Sequence, residues 1–248
     1  MTTRQGGVSQ QPWGELNLGL FAGDDSNSVL QNRERVAQAM GVPAVYLRQV
    51  HGSHGVAIDF QTSPAVQADV TWTTQAGIAC AMMAADCLPI LVCHPSAKWV
   101  AAAHAGWRGL SGTEGHGVVE TLAHAAKAQG LNTADCFVWL GPCIGPTAFE
   151  VGPDVLEAFE PSSQARGLSY NSEVSSWFKP KESHKFWADL AGLARMRLEA
   201  VGFKALYGND SSLPWCTYSQ ESIYLSHRRD AVAKGGSGRM AAYVWLTA

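Results

Sequence analysis

Two apolar runs set close together constrain this chain more than any other feature. They lie within Ala84–Gly109. The first is Cys87-Leu88-Pro89-Ile90-Leu91-Val92-Cys93, followed by His94 and the polar turn Pro95-Ser96-Ala97-Lys98. The second is Trp99-Val100-Ala101-Ala102-Ala103-His104, which runs into Ala105-Gly106-Trp107-Arg108-Gly109. Two apolar runs joined by a short turn predict a hairpin. In an antiparallel pair the start of one strand faces the end of the next, so Cys87 and His104 are expected side by side. A thiol beside an imidazole has two chemical uses: a nucleophile with its base, or two ligands of one metal.

The chain has 248 residues, 46% of them hydrophobic. That supports one large core, read here as a single domain over residues 13–248 behind a loose, polar tail at 1–12. The formal net charge is −3. No basic block and no acidic tail is present, so bulk charge favours neither nucleic acid nor an anionic membrane. The N-terminus lacks the apolar core of a signal peptide. The most apolar region, Gly77–Cys93, is broken by Asp86 and Pro89 and is too short to span a bilayer. A soluble, cytoplasmic protein is expected, with monomer as the default because no heptad or large apolar stripe stands out. Six cysteines are present without a C-x-x-C pair. A structural zinc knuckle is therefore not expected, and reduced thiols are.

Spacing predicts a helix over Val29–Met40 capped by Ser26 or Ser28, a second over Thr113–Gln129, a short one at Val155–Phe159 and a fourth over Phe186–Val201. Strands are predicted at Val45–Val50, Ala68–Thr73, Ile78–Met83, Phe137–Leu140, Ala205–Tyr207, Ile223–Ser226 and Met240–Leu246, with 161–184 a polar surface excursion. Strands follow one another instead of alternating strictly with helices. This predicts an α+β fold, with a mixed or antiparallel sheet core flanked by helices, rather than a doubly wound parallel sheet.

Three motifs share one layout, in which a strand ends and a reactive side chain meets a glycine or proline turn: Gln49-Val50-His51-Gly52, Ala85-Asp86-Cys87-Leu88-Pro89 and His104-Ala105-Gly106-Trp107-Arg108-Gly109. His51, Cys87 and His104 together make a three-ligand zinc set with the fourth position open, which is the catalytic arrangement. His54 competes with His51 for that role, and a single buried Cys or His is usually packing. Cys93-His94 reads as strand-end structure. His116, His124 and His184 fall on expected surfaces and are given no role. Arg48, Arg108, Arg228 and Arg239 each adjoin a motif or a glycine-rich turn, and guanidinium forks match phosphate or carboxylate oxygens. Lys234–Arg239 is glycine-rich without the spacing of a phosphate-binding loop.

These motifs stand in the order of a known family, together with Gly141-Pro142-Cys143-Ile144-Gly145-Pro146, Phe149-Glu150-Val151-Gly152, Cys216-Thr217, Ser226-His227-Arg228-Arg229-Asp230 and Gly238-Arg239-Met240-Ala241. From Asn17 onward the chain resembles the YfiH family, also called the peptidoglycan-editing-factor or laccase-domain family. The resemblance implies an α+β fold distantly similar to cysteine-hydrolase-like toxins, and a zinc site at His51, Cys87 and His104. It also implies phosphorolysis of adenosine, inosine, guanosine or S-methyl-5′-thioadenosine, with adenosine deamination besides. Purine nucleosides and phosphate are then the expected partners. Arg48, Arg108 and Arg228 are the candidates for phosphate or ribose contacts, and Asp86 either orients a ligand or caps a turn. One departure is His227, which stands where the family pattern carries an aromatic residue.

The laccase label invites a count. A multicopper oxidase draws on many histidines in His-x-His pairs, whereas this chain has eight histidines and no such pair. Copper-dependent polyphenol oxidation would have to use the single His-Cys-His set, so zinc ranks above copper. A further alternative is a metal-free Cys–His hydrolase acting on a peptidoglycan precursor, with Cys87 as nucleophile and His104 as base.

Overall fold

The hairpin forms, and the other layers are stacked on its two faces. In the computed structural model, which describes residues 1–96, 98–164 and 174–247, β5 (Leu88–Cys93) pairs antiparallel with β6 (Val100–Ala105), and Pro89 stands opposite His104. Ala97 of the expected turn lies outside the described residues. β6 is buried along its whole length. Ala101, Ala103 and Ala105 join one core, while Val100 and Ala102 join another. Alanines on both faces allow layers to approach from either side. The two-residue period puts His104 on the Val100–Ala102 face.

To the β6 side of the hairpin are added β3 (Val70–Thr73) and then β2 (Gly55–Ala57). To the β5 side are added β7 (Phe137–Leu140) and then β11 (Ala205–Gly208). The two outer pairings, β2–β3 and β7–β11, are parallel, and the three inner ones are antiparallel. A smaller sheet of β1 (Ala44–Val45), β4 (Ala79–Ala84) and β12 (Met240–Trp245) packs on the Val100–Ala102 face through Cys80 and Met82. Helix α1 (Ser26–Met40) covers the far side of that smaller sheet with Val36. The opposite face of the large sheet is covered by α3 (Val118–Ala128) and α5 (Leu190–Ala200), which bury Val118, Leu122, Leu193 and Leu198 against Ile90, Val92 and Val138. A third sheet holds β8 (Glu150–Val151), β10 (Lys185–Ala188) and β9 (Phe178–Lys181), in that spatial order. Three further helices are α2 (Trp107–Ser111), α4 (Pro153–Gln164) and α6 (His227–Lys234). The architecture is the expected α+β mixture of sheets and helices. All six cysteines are free. Among the described residues no helix is long and apolar enough to cross a membrane.

Several boundaries differ from the sequence reading, each for a local physical reason. The cap of α1 is Asp25, whose carboxylate accepts from the Ser28 amide at 2.9 Å, and not Ser26 or Ser28. The strand expected over Val45–Val50 stops at Val45. Beyond it, the Gln49 side chain donates to the Met83 carbonyl and accepts from the Met83 amide, both at 2.8 Å, replacing the backbone ladder. The helix expected from Thr113 begins only at Val118, after a loop in which Glu120 accepts from the Gly117 amide at 2.7 Å. The helix expected from Phe186 begins at Leu190, capped by Asp189, because 185–188 pair as β10. The 161–184 excursion contains the end of α4 and all of β9, and its residues 165–173 lie outside the described set. Ile223–Ser226 forms no strand and leads into α6, with Ser226 as its cap. Residues 1–12, expected as a loose tail, hydrogen-bond to the body: Thr2 donates to Ala241 and Arg4 to Ile223, each at 2.9 Å. These backbone pairings give a polar segment fixed partners that composition does not reveal.

Leu122 is fully buried between α3 and the large sheet. Leu122→Ala is expected to lower the unfolding free energy by about 2–5 kcal/mol, read by urea unfolding, with metal stoichiometry unchanged below the transition.

Candidate metal centre and substrate cavity

Cys87 immediately precedes β5, His104 is the penultimate residue of β6, and His51 sits on a turn carried in from β1. The ligand atoms of these three side chains lie within 4.8 Å of one another, and they make a metal-type cluster among the described residues that does not include His54. The His51 and His104 rings meet edge to face with centroids 4.8 Å apart. Exposure falls from His51 through Cys87 to His104, so one side of the group opens outward.

The backbone is left-handed at two non-glycine residues in or beside this group, with φ 60° at His51 and 86° at Asp86. Such conformations cost on the order of 1–2 kcal/mol and persist where the surroundings dictate them. At His51 the dictating group is Asp69, whose side chain is fully buried. Its carboxylate accepts from the backbone amides of Val50, His51 and Gly52 at 3.1, 3.1 and 2.9 Å, and meets His104 Nδ1 at 2.8 Å. Burial opposes the charge of Asp69. The hydrogen bond and charge of His104 and the amides outweigh it and hold the carboxyl below its usual range. Because Nδ1 donates to Asp69, Nε2 carries the lone pair, which is the tautomer a metal ligand needs.

At Asp86 the strain is held by a second carboxylate clamp. Asp86 accepts from the Thr217 hydroxyl at 2.6 Å, the Ser226 hydroxyl at 3.0 Å and the Arg228 amide at 2.6 Å. Its oxygens therefore hold the first turn of α6, with His227 and Arg228, against the start of β5. Asp86 caps a turn, and it does so from the residue next to a candidate ligand.

Cys87 and His104 shift each other's proton affinity in opposite directions. Burial alone would raise the Cys87 thiol, but the charge of His104 and hydrogen bonds from both histidines bring it down to about 6. Burial alone would lower His104, but Cys87 and Asp69 raise it to about 9. A thiolate with two imidazole nitrogens fits zinc or copper in its donor chemistry. Space around the group is tight: a Cβ at Gly106 would lie 3.0 Å from Cys87 Sγ and 3.1 Å from His51 Cδ2.

The three side chains line a cavity of about 350 Å³. Arg48 and Arg228 line it too, as does Arg239, whose Nη1 donates to the carbonyls of Ser237 and Gly238. Burial pulls Arg239 below its usual value, opposed by the negative charges of Cys87 and Asp86. Arg228 donates to the Glu150 carbonyl at 3.0 Å. Burial and the charge of Arg239 hold His227, also on the wall, below its usual range. Arg108 lies elsewhere: it stacks on Trp107 at 4.2 Å and lines a separate surface pocket that touches His51 from the other side. Sequence reading missed Asp69 altogether. The available signal was an acid heading the apolar strand β3, where a charge needs a buried partner.

A family model described as multi-copper polyphenol oxidoreductase laccase matches residues 1–247. The chain belongs to that family. Purine nucleoside phosphorylase PA4543 of Pseudomonas aeruginosa is 41% identical over 247 residues, which is 99% of this chain and 92% of its own length. Purine nucleoside phosphorylase YfiH of Escherichia coli is 39% identical with the same coverage. Among solved structures, protein NMB0706 of Neisseria meningitidis matches with a TM-score of 0.85 and 37% identity, over 100% of this chain and 93% of that one. YlmD of Geobacillus stearothermophilus matches with a TM-score of 0.87 and 31% identity, over 100% and 90%. The YfiH resemblance read from the motifs is borne out.

Two substitutions separate support of the group from the ligands themselves. Asp69→Asn keeps the shape and removes the charge, and is expected to weaken metal binding by about 10–100-fold, measured by competition with a chromophoric chelator. Gly106→Ala is expected to lower the bound metal per chain while the circular dichroism spectrum is kept, because its methyl group presses on Cys87 and His51.

Proposed function

We propose that this chain is a zinc-dependent purine nucleoside phosphorylase, acting on adenosine, inosine, guanosine and S-methyl-5′-thioadenosine. The observation that carries the reading is the placement of His51, Cys87 and His104 on the wall of a cavity that Arg48, Arg228 and Arg239 also line. Its volume falls in the range of small-molecule sites. The names of the two relatives point to the same activity.

His51, Cys87 and His104 are assigned to hold the zinc, which when bound supplies Lewis acidity at the cavity wall. Asp69 fixes the His104 tautomer for this role. Arg48, Arg228 and Arg239 bring fixed positive charge to the cavity a phosphate would enter. Arg108, in its separate pocket, is not assigned to the phosphate. Leu47, Met83 and Ile144 line the cavity with apolar surface and limit water near the glycosidic bond. In the reaction a phosphate oxygen bonds to C1′ of the ribose as the C1′–N9 bond breaks. The purine leaves with the electron pair and takes up a proton. Copper is the weaker fit, because the chain has no His-x-His pair of the kind a multicopper cluster draws on. Adenosine deamination needs water in place of phosphate and belongs to the same cavity. A cytoplasmic location accords with substrates of this kind.

One observation favours a second reading. Cys87, His104 and Asp69 stand in the order nucleophile, base and orienting acid, as in a cysteine hydrolase editing peptidoglycan precursors. That enzyme would ignore chelators and die on thiol alkylation.

The test joins metal content to products. The purified protein is expected to carry about one zinc per chain and to release free base from inosine or adenosine only with phosphate, with no product from Cys87→Ala. Arg228→Ala is expected to raise the KM for phosphate by about 10–100-fold. Inosine formed from adenosine without phosphate assigns the deaminase arm. A metal-free wild type with no purine product overturns the nucleoside reading in favour of the hydrolase.

A further inference from the structure

We infer that Phe21 is the stacking platform for the purine base, so that the turn Gly19–Gly23 sets which end of the cavity the base occupies. The inference rests on the nucleoside reading and deepens it. Phe21 is 83% exposed, and it lines the same cavity as His51, Cys87 and His104. A phenyl ring left in water forgoes the stabilisation that burial gives, so its position contributes little to the fold. Yet the turn that presents it is firmly held. Asn17 Oδ1 accepts from the Gly19 amide at 2.9 Å and from the Arg239 amide at 2.8 Å, while Asn17 Nδ2 donates to Asp24 at 2.9 Å. Trp13 Nε1 donates to the Ala22 carbonyl at 2.8 Å. Gly19 lies so close to the Arg239 side chain that a Cβ there would meet its Cγ at 2.7 Å. A fixed turn with an exposed aromatic tip is what a ligand-contacting wall requires: the backbone is placed in advance, and the ring is left largely in solvent with the Arg48 guanidinium over one face.

The partner's chemistry follows from the neighbours. Phe21 offers a flat π-face. The Arg48 guanidinium lies 5.9 Å from the ring centroid, at the outer edge of cation–π range. A planar heterocycle with ring nitrogens can stack on the phenyl face that Arg48 leaves open and take hydrogen bonds from the guanidinium at its edge. A phosphate ion or an isolated ribose has no face to stack. The other aromatic of the cavity wall, Phe149, is 7% exposed and belongs to the core, so it cannot supply this surface. With the base at Phe21, Arg228 and Arg239 are left for the phosphate, and the ribose lies towards His51, Cys87 and His104.

The experiment compares wild type, Phe21→Ala and Phe21→Trp, with zinc content and melting temperature measured on each. Phe21→Ala is expected to raise the KM for inosine about tenfold or more, with the loss falling on KM more than on kcat. Equilibrium dialysis is expected to show the same weakening for free hypoxanthine and none for inorganic phosphate. Phe21→Trp, which keeps a stacking face, is expected to restore inosine KM to within about threefold of wild type. Unchanged inosine KM and hypoxanthine binding in a zinc-loaded, folded Phe21→Ala protein overturns the inference while leaving the nucleoside reading in place. A parallel loss of phosphate binding also overturns it, since that marks general damage to the cavity. A wild type that neither binds nor converts any nucleoside removes the nucleoside reading, and this inference with it.

Discussion

The buried carboxylate of Asp69 is the interaction on which the site depends. One side chain accepts three consecutive backbone amides of the His51 turn and the Nδ1 proton of His104. The first set holds His51 in a left-handed conformation that only a strong local restraint makes tolerable. The second fixes the His104 tautomer. Two ligand-type histidines from segments about fifty residues apart are thus positioned by a single charge. That charge is buried at little net cost because each oxygen is satisfied by amides and an imidazole.

Asp86 plays the matching part on the other side of Cys87. It ties the residue beside the thiol to Thr217, Ser226 and the start of α6. The C-terminal segment is thereby brought to the hairpin, and with it His227 and Arg228 on the cavity wall. The two carboxylates differ in what they touch: Asp69 holds His51 and His104 directly, and Asp86 holds the cavity walls. Both carboxylates are taken up by hydrogen bonds within the protein, while Arg48, Arg228 and Arg239 bring positive charge to the cavity wall.

Packing explains why this happens at the end of the hairpin. β6 is alanine on both faces, so the small sheet with α1 and the helices α3 and α5 close on the large sheet from opposite sides. Where β6 ends, at His104, the chain turns through Gly106. Side chains from the loop after β1, the start of β5, the N-terminal turn and α6 converge there. Gly106 leaves room for them, since any Cβ would press on two of the three ligand-type residues.

Much of this was legible in the sequence. The pairing of Cys87 with His104 follows from two apolar runs and a turn, because antiparallel register is a local property of a short hairpin. The third member, His51, was legible as the same strand-end motif repeated, though only three-dimensional grouping separates it from His54. What the tertiary structure decided depends on distant contacts. Asp69 reads as an ordinary acid at the head of a strand until it is seen to hold a turn and a histidine 35 residues away. Arg48 and Arg228 reach the cavity, whereas Arg108, although part of the His104–Gly109 motif, stacks on Trp107 outside it. The strand expected at Val45–Val50 yields to a side-chain pairing by Gln49, and Thr2 and Arg4 find backbone partners more than two hundred residues on. Periodicity fixes which face of a strand or helix a residue occupies. It carries no information on which buried carboxylate meets which amide, because that is set by where separate elements pack.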